Sequence, residues 1–154
     1  MSDGRFQVRP ALAGDWSDWA GLRRELWPDC ETEMADLLEL INAGDGACLL
    51  AFDAEGVAVG LAEASLRHDY VNGTSSSPVG FLEGWYVCTQ WRGHGIGRQL
   101  VDAVAQWART LGCAELASDT GLDNHGAQAA HSGCGFTETE RVVYYRMALD
   151  DASR

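Results

Sequence analysis

"WRGHGIGRQL", residues 91–100, sets Gly93, Gly95 and Gly97 at alternate positions between Arg92 and Arg98 and runs directly into an apolar helical pattern. Alternate glycines at a helix start leave main-chain N–H groups open to an anion that must come close, most often a phosphate. No Gly-Lys-Ser/Thr follows, which excludes a P-loop. The spacing is G-x-G-x-G rather than G-x-G-x-x-G, and the loop lies two-thirds along the chain. Too few residues remain to wind a dinucleotide-binding sheet around it. Two readings stay open on this motif alone: a site for another phosphate-bearing ligand, or a tight strand-to-helix turn.

The flanking periodicities place the loop in a fold. After it, "GRQLVDAVAQWARTLG" carries Leu100, Val101, Val104, Trp107, Ala108 and Leu111 as one stripe of a helix that Gly112 ends. "AELAS" reads as a short strand, "NHGAQAAHSGCG" as a modest helix and "FTETERVVYYRMAL" as a closing β-rich segment. Before it, "VGFLEGWYVC" reads as a strand whose interior Gly84 implies a bulge or a close backbone approach. "HDYVNGTSSSP" is a polar loop, unusually long for a hairpin. "ACLLAFD" and "VAVGLAEASLR" form a hairpin about "AEG". Phe6–Pro10 is a first strand. Two amphipathic helices follow it: one capped by Asp15 and stopped by Pro28, with Trp16, Trp19, Leu22 and Leu26 in register, and one over about Glu31–Asn42 with Met34, Leu37, Leu38 and Ile41 on one face. The order β-α-α-β-β-β-α-β-α-β predicts an α+β fold with a mixed sheet.

Length and composition narrow the function classes. At 154 residues the chain is expected to form one domain, residues 1–154, burying roughly 70% of its unfolded surface. No apolar run approaches the ~20 residues of a membrane span, and Met1–Pro10 has no signal-peptide core, so a cytoplasmic location is expected. Five cysteines, widely spaced and never in a C-x-x-C pair, predict neither a disulfide framework nor a zinc site. Net charge is −12, from 23 acidic and 11 basic side chains. Such a surface repels nucleic acid and anionic membranes and attracts a polycation.

Read as Arg92-x-x-Gly95-x-Gly97 between strand and helix, the loop resembles the acyl-CoA loop of GNAT-type N-acetyltransferases. In that family a mostly antiparallel sheet flanked by helices has a splayed central strand pair, and the acyl-CoA arm pairs with strand main chain in the gap. "FLEGWYV" lies at the matching place. Asn124-x-x-Ala127-x-x-x-His131-x-x-x-Gly135-Phe136 is similar to the family's closing helix motif, with His131 where a tyrosine is common. The resemblance therefore implies that Trp85, Tyr86 and Val87, the loop residues Arg92, Gly93, His94, Gly95, Ile96, Gly97 and Arg98, and Asn124 bind acetyl-CoA. No metal is implied.

"LRRELWP", "RHDYVNG", "SSPVGFLEG", "ASDT" and "GFTETERVVYYR" extend the resemblance over nearly the whole chain, to the short aminoglycoside 6′-N-acetyltransferases. It departs at Cys30, where a histidine is expected two residues after Pro28. The implied activity is acetyl transfer from acetyl-CoA to the 6′-amine of an aminoglycoside, conferring antibiotic resistance, by a homodimer. Trp27, Tyr70, Glu83, Asp119 and Glu140 would meet the sugar amines. The Val87 N–H would hold the oxyanion, Asp119 or Glu83 would remove the proton, and His131 or Tyr144 would protonate the leaving thiolate. The other readings are a GNAT enzyme for another amine (a polyamine or a protein) and a non-catalytic acyl-CoA sensor.

Overall fold

In the computed structural model, which describes residues 5–150, five strands form one sheet in the order β1-β2-β3-β4-β5. They are β1 (Gln7–Pro10), β2 (Gly46–Phe52), β3 (Ala58–Arg67), β4 (Val79–Val87) and β5 (Leu116–Ser118). The first four pair antiparallel and β4–β5 pair parallel, so the sheet is mixed, as expected. Helices α1 (Trp16–Leu26) and α2 (Met34–Asn42) precede β2; α3 (Ile96–Thr110) and α4 (His125–Gly133) flank β5 in sequence. The first four residues of the Met1–Pro10 stretch lie outside the described residues.

The strand period of two divides the core between two faces. On one, Ile96, Leu100, Val101 and Val104 of α3 pack on Leu49, Ala51, Val59, Ala62, Ala64 and Leu82. On the other, Trp19 and Leu22 of α1 and Leu37 of α2 pack on Cys48, Leu50, Phe52 and Leu61. Burying an aliphatic side chain of this size contributes roughly 1.5–3 kcal/mol, so both faces are strongly specified.

Three sequence expectations change. Asp15 does not cap α1 with its side chain; the carboxylate turns to Arg9 at 2.8 Å and accepts from the Leu12 N–H at 2.7 Å, since a guanidinium offers a stronger partner. Helix α2 begins at Met34, where the Glu33 N–H donates to Asp36, three residues later than the periodicity gave. The closing β-rich segment forms no strand among the described residues, and its Val143, Tyr144, Tyr145, Met147 and Leu149 are exposed, Tyr145 by 92%. Pattern and propensity prepare a strand, but a ladder needs a neighbour.

Candidate active site

The decisive local feature is a bulge. Glu63 of β3 stands opposite Gly84 and Ala64 opposite Leu82, so Glu83 is the extra residue of β4. The insertion resets the alternation, and Leu82 and Trp85 both pack on the α3 side. Gly84 also satisfies the close-approach reading, because a Cβ there would meet the Trp27 ring at 2.5 Å. Sequence reading allowed either cause; the chain uses both.

Past the bulge the sheet opens. The β4–β5 ladder covers only Gly80–Leu82 against Leu116–Ser118, and β4 then continues to Val87 without β5 beside it. This is the expected splayed pair, and it leaves strand main chain facing a gap. A 3-10 turn at Thr89–Trp91 leads from β4 into the glycine loop. Gly93 and Gly95 both take φ of +82°, a region other residues reach only under strain, and Gly95 is the residue before α3. The N–H groups of Ile96, Gly97 and Arg98 precede the first bond of α3, from Gln99 N to Gly95 O at 3.1 Å. Gly97 has a different job. Trp85 Nε1 donates to its carbonyl at 3.1 Å, and a Cβ would lie 3.2 Å from the Trp85 ring.

The side chains in the loop are already committed. Ile96 is buried in the core, so only its main chain faces the loop. Arg92 Nε donates to the Val87 carbonyl at 2.9 Å, and Arg98 Nη1 donates to the Gly133 carbonyl at 3.0 Å, tying the loop to β4 and to the end of α4. His94 Nδ1 lies 3.1 Å from the Trp91 carbonyl. Asn124 caps α4, accepting from the Ala127 N–H at 3.1 Å. The Tyr86 phenol turns towards α1 and donates to Glu25, and burial together with that carboxylate pushes its pKa up to about 12.

A cavity of about 560 Å³ adjoins the outer edge of β5. Asp119, His131 and Glu140 line it, with Asn72, Gly73 and Thr74 of the long loop. His131 Nδ1 donates to the Ala127 carbonyl at 2.7 Å, and Nε2 lies 2.9 Å from Ser118 Oγ, which is 3.2 Å from the Leu82 carbonyl. The ring is held edge-on by Trp85 and Phe136. Ser118 was missed in the sequence because its relation to His131 exists only once β5 and α4 are adjacent.

Glu83 and Trp27 lie elsewhere, Glu83 at the bulge and the Trp27 ring over Gly84. Glu83 accepts from Ser65 Oγ at 2.6 Å and from Arg67 at 2.8 and 3.0 Å. Trp27 closes α1, the Cys30 N–H donates to the Trp27 carbonyl at 2.9 Å in the turn after it, and the Cys30 Sγ lies 3.9 Å from Arg23 Nη1. Tyr70 and Tyr144 are exposed by 75% and 78% and line neither place. A buried group also escaped the sequence reading. Glu63, only 5% exposed, accepts on one oxygen from Trp19 Nε1 at 3.1 Å and Arg23 Nε at 2.7 Å. Burial pushes its carboxyl above the usual range while Arg23 and Trp19 oppose that rise. Among the described residues no histidine, cysteine and carboxylate group forms a metal site, and no helix is long and apolar enough to cross a membrane.

A splayed strand pair beside a glycine-opened helix start defines an acyl-CoA-dependent acyltransferase frame. Residues 13–136 match the model of the acetyltransferase (GNAT) family, and the chain belongs to that family. It is 53% identical over 146 residues to an aminoglycoside N(6′)-acetyltransferase type 1 of Stenotrophomonas maltophilia, covering 95% of each chain. It is 48% identical to the corresponding protein of Salmonella typhimurium, over 83% of this chain and 89% of that one. Among solved structures, AAC(6′)-Iy in complex with the bisubstrate analog CoA-S-monomethyl-acetylneamine superposes with a TM-score of 0.89 at 44% identity, covering 94% of this chain and 99% of that one. AAC(6′)-Ih from Acinetobacter baumannii gives the same score and coverage at 42% identity.

Proposed function

We propose that this chain is an aminoglycoside 6′-N-acetyltransferase, moving the acetyl group of acetyl-CoA to the 6′-amine of the antibiotic by direct attack in a ternary complex, and so conferring resistance. The likeness to a 6′-acetyltransferase over 95% of both chains carries the substrate class. The open edge of β4 beside the glycine loop supports the donor.

Acetyl-CoA supplies an activated thioester. Its pyrophosphate would sit on the N–H groups at Gly93–Arg98, where the α3 dipole favours negative charge, and its arm would lie along Trp85–Val87 and Asn124. The Val87 N–H holds the developing oxyanion. Asp119 or Glu83 takes the amine proton, directly or through water. His131 or Tyr144 protonates the leaving thiolate; His131 Nε2 lies 2.9 Å from Ser118 Oγ. The carboxylates of Glu83, Asp119 and Glu140, with Trp27 and Tyr70, bind the sugar ammonium groups.

The unpaired arm supports a homodimer. Its Tyr144, Tyr145, Met147 and Leu149 are exposed, and β5 stands at the end of the strand order among the described residues. In a second copy the arm would add a strand there and bring Tyr144 to a cleft. The whole chain acts as one domain in the cytoplasm and binds neither nucleic acid nor membrane.

Mass spectrometry of the product tests the regiochemistry. Kanamycin, with a 6′-amine, is expected to be acetylated there, and an analogue with a 6′-hydroxyl to gain no N-acetyl at that position; acetylation only at another amine refutes the specificity. Gly95→Val tests the donor site, since a branched side chain at φ +82° distorts the loop. Acetyl-CoA affinity should drop while aminoglycoside binding persists, as calorimetry can read.

A further inference from the structure

Glu83 is not vacant in the free protein. It rises from the bulge on the face that Ser65 and Arg67 share, since alternate residues of β3 point the same way. Arg67 reaches back along the strand pair and covers both carboxylate oxygens: Nη2 lies 2.8 Å from Oε1 and 3.0 Å from Oε2, and Nε lies 3.2 Å from Oε1. Its guanidinium rests on the Phe81 ring at 3.6 Å, an apolar shelf that holds the cation without a second anion. The side chains are 42% and 35% exposed, so the pair is open to exchange with a solute. Contrast Arg23, which is locked between Glu63, Thr32 and two indole rings.

We propose that Arg67 is a placeholder for a substrate ammonium group: it neutralises Glu83 in the free enzyme and withdraws along Phe81 when a polycation enters. The proposal rests on the reading of Glu83 as a substrate ligand. Arg67 then sets the threshold of affinity, because every amine that reaches Glu83 competes with a tethered cation. A monovalent amine gains little by the exchange. A polycation brings further ammonium groups to Asp119 and Glu140, so the contact favours substrates with several amines.

The test compares wild type, Arg67→Met, Glu83→Gln and the double variant, with kanamycin and acetyl-CoA at low and high salt. Methionine keeps an apolar stem on Phe81 and removes the charge. Arg67→Met is expected to lower the kanamycin KM about two- to fivefold at low salt, the range half-exposed ion pairs span. The acetyl-CoA KM and kcat should hold, and added salt should shrink the gain. In the Glu83→Gln background the gain should vanish. An unchanged or higher kanamycin KM in Arg67→Met overturns the placeholder, the higher value making Arg67 a support that positions Glu83. If Glu83→Gln leaves kcat/KM unchanged, the failure lies in the substrate reading of Glu83, and the placeholder falls with it.

Discussion

Glu63 and Glu83 stand on the same face of β3 and β4, either side of one bulge, and each is paired with an arginine, yet they live under opposite conditions. Glu63 is enclosed under α1, with Arg23 and the Trp19 indole both donating to one oxygen. Glu83 is open, with Arg67 and Ser65 as its hydrogen-bond partners among the described residues. The difference assigns roles. A buried pair is expensive to break and slow to exchange, which suits fixing α1 and the Trp27 turn. An exposed pair is worth little and exchanges readily, which suits a ligand site.

The largest expected effect follows from breaking the buried pair. Removing one partner leaves an uncompensated charge, so Arg23→Met should cost about 3–5 kcal/mol of stability in denaturant titration. The corresponding loss for Arg67→Met should stay below about 1 kcal/mol. Equal losses would erase the contrast. Next comes Glu83→Gln, which removes the charge-assisted hydrogen bond that the proposed substrate contact supplies. At roughly 1.5–3 kcal/mol, kcat/KM for kanamycin should drop about 10- to 150-fold while acetyl-CoA binding holds. A variant with wild-type kcat/KM would remove Glu83 from the substrate site.

The same contrast marks what the sequence reveals. Glu83 is named by the family resemblance, although a carboxylate inside an apolar strand is in any case costly unless it is paired or faces a cleft. That cost applies with more force to Glu63 in "VAVGLAEASLR", which is the one that is buried; its partner lies 40 residues away in sequence, and no local pattern joins them. Local signals read well. The stripe of α3, the glycine loop and the bulge at Gly84 each declare themselves in a few residues. Contacts between distant segments do not: the Trp27 ring on Gly84, the Ser118–His131 pair and the Arg67 cover over Glu83 all need the fold. The closing segment shows the reverse error, since its β-pattern is genuine but describes what the arm can pair with rather than what it pairs with in one chain.

Salt separates the two pairs by a smaller margin. Exposed charges are screened over a Debye length of about 10 Å at 0.1 M, and buried pairs much less. Added salt should therefore raise the kanamycin KM of the wild type, with a shallower slope in Glu83→Gln, which has one charge fewer to screen. The stability lost in Arg23→Met should change little over the same range. A stability loss that tracks salt as steeply as KM would mean that the Arg23–Glu63 pair is open to water.

The smallest effect is in the pH dependence of stability, and its sign is set by burial. Glu63 is held above its ordinary value of 4.5, chiefly by desolvation. The folded state therefore binds this proton more tightly than the unfolded chain, and Glu63 makes stability fall as pH rises from about 4.5 through its raised value. Asp15 behaves in the opposite way. The hydrogen bond from Arg9 holds it below its ordinary 3.8, so its contribution is present above that value and is lost as pH falls through the lowered one. Urea titrations from about pH 3 to pH 7 resolve the two. In Glu63→Gln the decline above pH 4.5 should disappear, leaving the acid-side loss intact; in Asp15→Asn the acid-side loss should shrink and the decline should remain. If Glu63→Gln keeps the wild-type slope above pH 4.5, Glu63 is not titrating under burial, and the enclosed character that sets it apart from Glu83 is refuted.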